Sequence, residues 1–434
     1  MSLNGFQTGG REMSRAGHMA RVRVAVVCGA ILIALTAIAS ATSQPRQSRN
    51  LGTVKIGVLF PLTGTNASAG QDTLHGVQLA AAVLNGQYRR IKLPRLTVGK
   101  IGLEVSDTQG NPQIGSSEID RLVRDKKVAA VLGAYQSAVT LTASQRAELL
   151  EVPFVNGSSS STSLTQRGLH WFFRTGPSDL SFTNTYFAWL NAIKKQHPVK
   201  RAVIVHTNDA YGNDGAKVIG YLAAKNNVKI VDDVSFQSGA TDLTSQVQRL
   251  RSAAPAAVFA LMYTPDAILF TKTMAQLGYT PPAVLAYGAG YADPQFLQSL
   301  GKLADYSVTR AAWALDVARG NPAAKAVATA FQARFHQPMT ENSAREFTAM
   351  MTLGQAIQRA NSTDPSKLRA ALASFRTTQT IMPWKGIKFN ANGQNVQAAG
   401  VIEQIIKGKY KVLWPRLSAT AKVVWPMPAL DKRG

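Results

Sequence analysis

From Val54 onward the apolar positions fall into short continuous runs, separated by longer stretches in which they recur every three or four residues. "VKIGVLF" is a β-branched run of strand length, and in "TLHGVQLAAAVLN" Leu74, Val77, Ala81 and Leu84 share one helical face. The alternation continues with strand "LTVGKIGLEV", helix "GSSEIDRLVRD", strand "VAAVLG", helix "VTLTASQRAELL" and strand "VPFVN". After a break at Gly176-Pro177 a second series follows: helix "FTNTYFAWLNAIKK", strand "RAVIVH", helix "GAKVIGYLAAKN", strand "VKIVDDVSF", helix "LTSQVQRLRS", strand "AAVFALM", helix "AILFTKTMAQLG" and strand "PAVLAYG". Apolar strands joined by helical crossovers predict parallel sheets covered on both faces, so the fold class is α/β with two doubly wound lobes. The rest is less regular, with "YSVTRAAWAL", the helices "AAKAVATAFQARF", "AREFTAMMTLGQAIQRA" and "PSKLRAALASF", and a late strand pair around "GIKFN" and "VQAAGVIEQIIKGKYKVL". It is too broken for a third domain and is expected to return and complete both lobes. The proline-bearing tail after Trp414 is expected on the surface.

The N-terminus reads differently. In "RVRVAVVCGAILIALTAIASATSQP" two arginines precede an apolar run that ends at Ala39-Ser40-Ala41, the pattern of a secretory signal peptide. Residues 1–41 are therefore read as an N-terminal extension and signal peptide, with Met13 and Met19 as alternative starts, and the protein as periplasmic. The apolar run falls short of the roughly 20 residues that span a bilayer. Cys28, the only cysteine, lies inside it and follows Val27 rather than a small residue, so neither a lipid anchor nor a disulfide is expected in the mature chain. At 434 residues and 45% hydrophobic content, the chain can build two ordinary cores. Lys+Arg 48 against Asp+Glu 24 gives a formal charge of +24, which would suit a polyanion. The basic residues cluster no further than pairs such as Lys126-Lys127 and Arg89-Arg90, so no nucleic-acid partner is expected.

In parallel α/β sheets ligands bind past the carboxyl ends of strands, where loops enter helix N-termini. Those loops are "PLTGTNASAGQD", "AYQSAVT", "GSSSSTS", "TNDAYGND", "YTPD" and "GAGYADPQ", and nearly every one offers a hydroxyl or an aromatic ring. Serine hydroxyls beside free backbone N–H groups suit an anion, so Ser137 and the run Ser158 to Ser161 form a candidate carboxylate shelf. Helix capping or a solvated turn explains the same serines equally well, and Tyr211 and Tyr263 read equally as edge-of-core aromatics. No nucleophile elbow, P-loop, dinucleotide fingerprint or zinc-protease motif is present. His18, His75, His170, His197, His206 and His336 keep no metal-ligand spacing, and His206 reads as a packed strand-end residue. No cofactor, metal or catalytic residue is assigned.

The stretches "VKIGVLFPLTGTNASAGQDTLHGVQLAAAVLN", "GAYQSAVTLTASQRAELLEVPFVNGSSSSTSLTQRG", "FFRTGPSDLSFTNTYFAWL" and "VIVHTNDAYGNDGAKVI" together resemble the periplasmic branched-chain amino acid (Leu/Ile/Val) binding proteins of ABC importers. The resemblance implies a class I periplasmic binding protein fold, two Rossmann-like lobes joined by three crossing segments. Lobe I is then 54–176 plus 308–379, lobe II 177–307 plus 380–412, and 413–434 a surface tail. It also implies a monomeric, non-enzymatic receptor for a small carboxylate-bearing ligand, with an ABC permease in the inner membrane as partner. By the same resemblance Ser137, Ser158 and Ser160 bind the ligand carboxylate, and Tyr211 and Tyr263 contribute the wall of lobe II.

The sequence departs from the family at Ala289, where the amino-acid binders place a glutamate for the ligand ammonium. Either Asp293, Asp209 or Asp266 substitutes, or the ligand is an aliphatic or aromatic acid, or an amide, without an amine. Arg345 stands near a family pocket position but reads first as a surface charge on its helix. Gly110 and Gln136 occupy positions that carry a disulfide in some members. A sensory ligand-binding module on the same fold and a serine hydrolase are the rival functions.

Overall fold

The structure is a computed structural model and describes residues 50–429 and 432–433; the signal-peptide reading lies outside the described residues. The first sheet is built from β1 (Thr53–Phe60), β2 (Lys100–Asp107), β3 (Ala130–Gly133), β4 (Phe154–Asn156) and β5 (Phe172–Arg174), all parallel and in spatial order β2-β1-β3-β4-β5. The second contains β6 (Arg201–Thr207), β7 (Lys229–Phe236), β8 (Ala257–Leu261), β9 (Val284–Ala286) and β10 (Val308–Ala311). A ribbon of β11 (Arg376–Thr377) and β12 (Ile387–Lys388) stands apart, and the hairpin β13 (Val401–Ile406) and β14 (Lys409–Trp414) returns to the second sheet. Its order is β14-β13-β10-β9-β8-β6-β7, parallel from β7 to β10 and antiparallel at the hairpin.

The strands are continuous apolar runs because both faces are covered. Val58, Leu132, Val155, Val203, Phe259 and Leu285 are all buried. The first helix, Ala67–Leu84, begins six residues before the sequence pattern suggests. It is buried on almost every side because the helix Glu341–Ala360 lies against it, crossing so closely that Gly76 meets the Ser343 backbone. The irregular C-terminal third thus adds its longest helix to the first lobe and a hairpin to the second.

Two boundaries differ from the sequence reading. β10, which that reading gives to lobe I, is hydrogen-bonded between β9 and β13 in the second sheet, so the chain leaves that sheet only after Ala311. The tail does more than lie on the surface. Val424 N–H donates to Gln404 Oε1 at 2.8 Å, Met427 N–H donates to Pro282 O at 2.8 Å, and the Trp425 ring stacks on His197. The chain passes between the sheets after β5, after β10 and before β13. At the last crossing Arg174 Nε donates to Gln394 Oε1 at 2.7 Å, and Asn395 Nδ2 donates to Thr175 O at 2.9 Å.

Where the Glu341–Ala360 helix meets the first helix, Asp72 accepts from Thr340 and its side chain is 4% exposed. Burial raises its pKa to about 7, against the hydrogen bonds of Thr340 and Ser343 and with the help of the Asp293 charge. Glu346 is likewise raised to about 7 by burial. Such groups bind protons more tightly folded than unfolded, so their stabilising contribution is complete below about pH 4 and is lost as the pH rises through 7. Thermal denaturation of the ligand-free protein is therefore expected to give a lower Tm at pH 8 than at pH 5. Asp72→Asn should flatten that slope and raise stability at pH 8 by on the order of 1 kcal/mol. A pH slope identical to that of the parent protein would refute the assignment.

Candidate functional site

Each sheet reverses its winding at one point, and there the crossover helices depart to opposite sides and leave a crevice at the strands' carboxyl ends. In the first sheet the reversal lies between β1 and β3; in the second it lies between β6 and β8. The loop after β3 carries Tyr135 and Ser137, and that after β4 carries Ser158, Ser159 and Ser160. Tyr211 stands in the first turn of the helix after β6, Ala210–Lys225, and Tyr263 at the N-cap of the helix after β8, Thr264–Gln276. These residues, with Ala289, Arg310 and Arg345, line a single cavity between the lobes. All five residues that the sequence singles out, Ser137, Ser158, Ser160, Tyr211 and Tyr263, are therefore brought together.

The serine shelf is held from behind. Asn156 Nδ2 donates to Gly133 O (2.7 Å) and Ala134 O (2.9 Å), while its Oδ1 accepts from Ser159 N–H, which ties the β4 loop to the β3 loop. Arg174, wholly buried, donates through Nη1 to Ser159 O and Ser161 O. The four serines then take four different tasks. Ser158 Oγ donates to Glu346 Oε1 at 2.6 Å, and Ser159 Oγ bonds the carbonyls of Ala134 and Tyr135 at 3.0 Å. Ser160 Oγ faces the cavity, receives a long 3.5 Å contact from Arg310 Nη2 and lies beside Asp179, whose carboxylate it helps to hold charged against the cost of burial. Ser161 Oγ reaches across to Asp214 Oδ2 at 2.6 Å. Ser137 caps nothing through its side chain; its Oγ accepts weakly from Ser161 N–H at 3.4 Å. Ser137 and Ser160 are thus the shelf hydroxyls least committed to the protein.

On the opposite wall Tyr211 donates its hydroxyl to Tyr287 O at 2.8 Å, so it offers the cavity its ring. The Tyr263 ring is tilted against both Tyr135 and Tyr211, with centroids 6.0 Å and 5.3 Å away. Burial raises the pKa of all three phenols, so they remain donors at any physiological pH.

Sequence reasoning missed Tyr135 and Arg310 and misplaced Arg345. Arg310, on β10, is 2% exposed, with its guanidinium carbon 3.6 Å from the Phe182 ring centroid. Its Nη1 lies 3.6 Å from Glu341 Oε1. Arg345 is no surface charge: it is 4% exposed, and Nη2 donates to Ser158 O at 2.6 Å. Arg310 Nε and both Nε and Nη1 of Arg345 make no hydrogen bond.

The three aspartates offered by the sequence in place of the family's glutamate, Asp209, Asp266 and Asp293, are occupied elsewhere. Asp209 caps its helix through Gly212 N–H, and Asp266 accepts from Ser238 and Gly239. Asp293 accepts from Ser68, Thr264 and Gln295 N–H. His206 is packed in the second sheet, its ring bonded to Thr207 O and Asp233, away from the cavity. Gly110 and Gln136 are side by side: a Cβ on Gly110 would lie 2.6 Å from Gln136 Nε2.

The cavity has a volume of about 20 Å³. A single water needs roughly 10–15 Å³, so even a short organic acid can enter only if the lobes part. Contacts that span the crevice, Ser68 Oγ to Asp293 Oδ1 at 3.0 Å and Ser163 N–H to Asp214 Oδ2 at 2.9 Å, join loops of the first sheet to loops of the second.

Known proteins share this architecture. The family model described as a periplasmic binding protein matches residues 53–409. The Leu/Ile/Val-binding protein homolog 8 of Brucella abortus is 26% identical, over 86% of this chain and 93% of the relative. Among solved structures, the branched-chain amino acid transporter substrate-binding protein LivJ of Streptococcus pneumoniae, in complex with isoleucine, superposes with a TM-score of 0.72 at 20% identity, over 86% of this chain and 100% of LivJ. A solute-binding protein of an ABC transporter from R. palustris, in complex with benzoate, gives 0.71 at 20% identity, over 83% and 96%. Among the described residues no helix is long and apolar enough to cross a membrane. With two doubly wound lobes closing over a hydroxyl-lined crevice and a family match across most of its length, this chain belongs to the periplasmic binding protein family, on the class I fold.

Proposed function

We propose that the protein is the extracytoplasmic solute-binding component of an ABC importer, which captures a carboxylate-bearing small molecule between its lobes and presents it to a permease. The observation that carries this reading is the convergence of Ser137, Ser160 and the two arginines from four separate chain segments on one cavity. Hydroxyls and guanidiniums with unspent donors match a carboxylate, whose two oxygens accept up to four hydrogen bonds. Closure follows from differential contact: the ligand touches serines of one lobe and tyrosines of the other only when the lobes meet.

The protein binds without turning its ligand over. The cavity is lined by serines, tyrosines, two arginines and Ala289, and Glu346, which accepts from the lining Ser158 at 2.6 Å, is not part of that lining. A thermal-shift screen of the purified protein against small carboxylates is expected to raise Tm. A ligand at 100 times its Kd adds about 2.7 kcal/mol. The ligand should be recovered chemically unchanged after prolonged incubation. Conversion of the bound molecule would refute binding without turnover, and silence across the screen would refute the carboxylate reading.

A further inference from the structure

The cavity is lined by four serines, three tyrosines, Ala289 and two arginines; no carboxylate takes part in the lining. Asp179, Asp209, Glu341 and Glu346 stand behind it; both oxygens of Asp179, Glu341 Oε1 and Glu346 Oε2 make no hydrogen bond. Glu341 Oε2 accepts from Ala312 N–H at 2.6 Å, Asp209 holds Gly212 N–H at 2.8 Å, and Glu346 Oε1 holds Ser158. Arg310 has Glu341 as its counter-charge at 3.6 Å, but Arg345 reaches the same carboxylate only at 4.0 Å. Two N–H groups of Arg345, one of Arg310 and the hydroxyl of Tyr135 remain without an acceptor, and all four are buried.

Resting on the carboxylate reading above, we infer that the site takes organic acids without an ammonium group and discriminates against α-amino acids. Buried donors with no acceptor are costly, about 1–3 kcal/mol each, and a carboxylate with a neighbouring keto or hydroxyl oxygen satisfies several of them at once. An ammonium would stand beside two guanidiniums in a lining that holds no carboxylate, because the unpaired oxygens of Asp179, Glu341 and Glu346 lie behind that lining rather than in it. The raised pKa of Glu346 adds to the imbalance, because its carboxyl carries only part of a negative charge at neutral pH.

The test uses matched ligands on the unmodified protein, so it does not depend on a variant folding. Calorimetry at pH 7.5 compares leucine with 4-methylpentanoate and 4-methyl-2-oxopentanoate, and phenylalanine with 3-phenylpropanoate and phenylpyruvate. In at least one series the acid or oxo acid is expected to bind tighter than its amino acid by roughly tenfold or more. In Arg345→Gln that preference should shrink towards unity, a ratio that partial loss of folded protein does not alter. An amino acid that binds as tightly as its deaminated partner in the series that binds would overturn this inference and leave the carboxylate reading standing. Failure of every member of both series would overturn the two together.

Discussion

Replacing Ser137 and Ser160 together by alanine is expected to weaken carboxylate binding by roughly a hundredfold, with little change in the Tm of the ligand-free protein. A hydrogen bond to a charged group contributes about 1.5–3 kcal/mol, so the loss of two corresponds to about 3–6 kcal/mol at the outside; a hundredfold is about 2.7 kcal/mol. The free protein loses little because neither hydroxyl makes a short bond to it: the contacts are 3.4 Å at Ser137 and 3.5 Å at Ser160. Ser159→Ala provides the contrast. Its hydroxyl is buried between Thr140 and the carbonyls of Ala134 and Tyr135, so this variant should lower Tm. Calorimetry with a bound acid, paired with thermal denaturation, separates the two. Unchanged affinity in the double variant would remove Ser137 and Ser160 from the site.

The contrast between adjacent serines also marks how far the sequence could be read. The order of strands and helices in both series was legible, because a strand buried on two faces and a helix with an apolar stripe leave different periodicities. So was the location of the site, because parallel sheets put ligands at strand ends. Which serine faces the ligand was not legible: Ser158 to Ser161 point four ways, and those directions are set by Asn156, Arg174 and partners up to 188 residues away. Strand β5 went unread because only a short 3-10 turn, Thr162–Thr165, separates it from β4, so it falls outside the strand–helix alternation. Arg345 was misread because the Glu341–Ala360 helix is enclosed almost all round, so a charged position on it is no guide to solvent. Arg310 did leave a trace that went unused: an arginine inside the apolar strand segment "YSVTRAAWAL" has to point into a cleft or find a partner.

Gly76→Ala is expected to destabilise the fold by about 3 kcal/mol, the upper part of the usual range for overpacking, and to weaken ligand binding as well. A Cβ on Gly76 would lie 2.1 Å from Ser343 O and 2.9 Å from Ser343 Cα, which are backbone atoms that no rotamer change can move aside. The helices Ala67–Leu84 and Glu341–Ala360 must therefore separate at their closest crossing. Ser343 lies between Glu341 and Arg345 in sequence, so the displacement reaches the site directly: it pulls Arg345 Nη2 off Ser158 O and Glu341 off Ala312 N–H. Gly220→Ala tests whether this effect belongs to the crossing or to glycine itself. Gly220 lies inside the helix Ala210–Lys225 with open space around its Cα, so alanine there should stabilise by about 0.5–1 kcal/mol through the unfolded chain and leave affinity untouched. Urea denaturation and calorimetry on both variants supply the comparison. If Gly76→Ala kept full stability, the two helices would have to cross farther apart, and Arg345 would lose the support that aims it at the serine shelf.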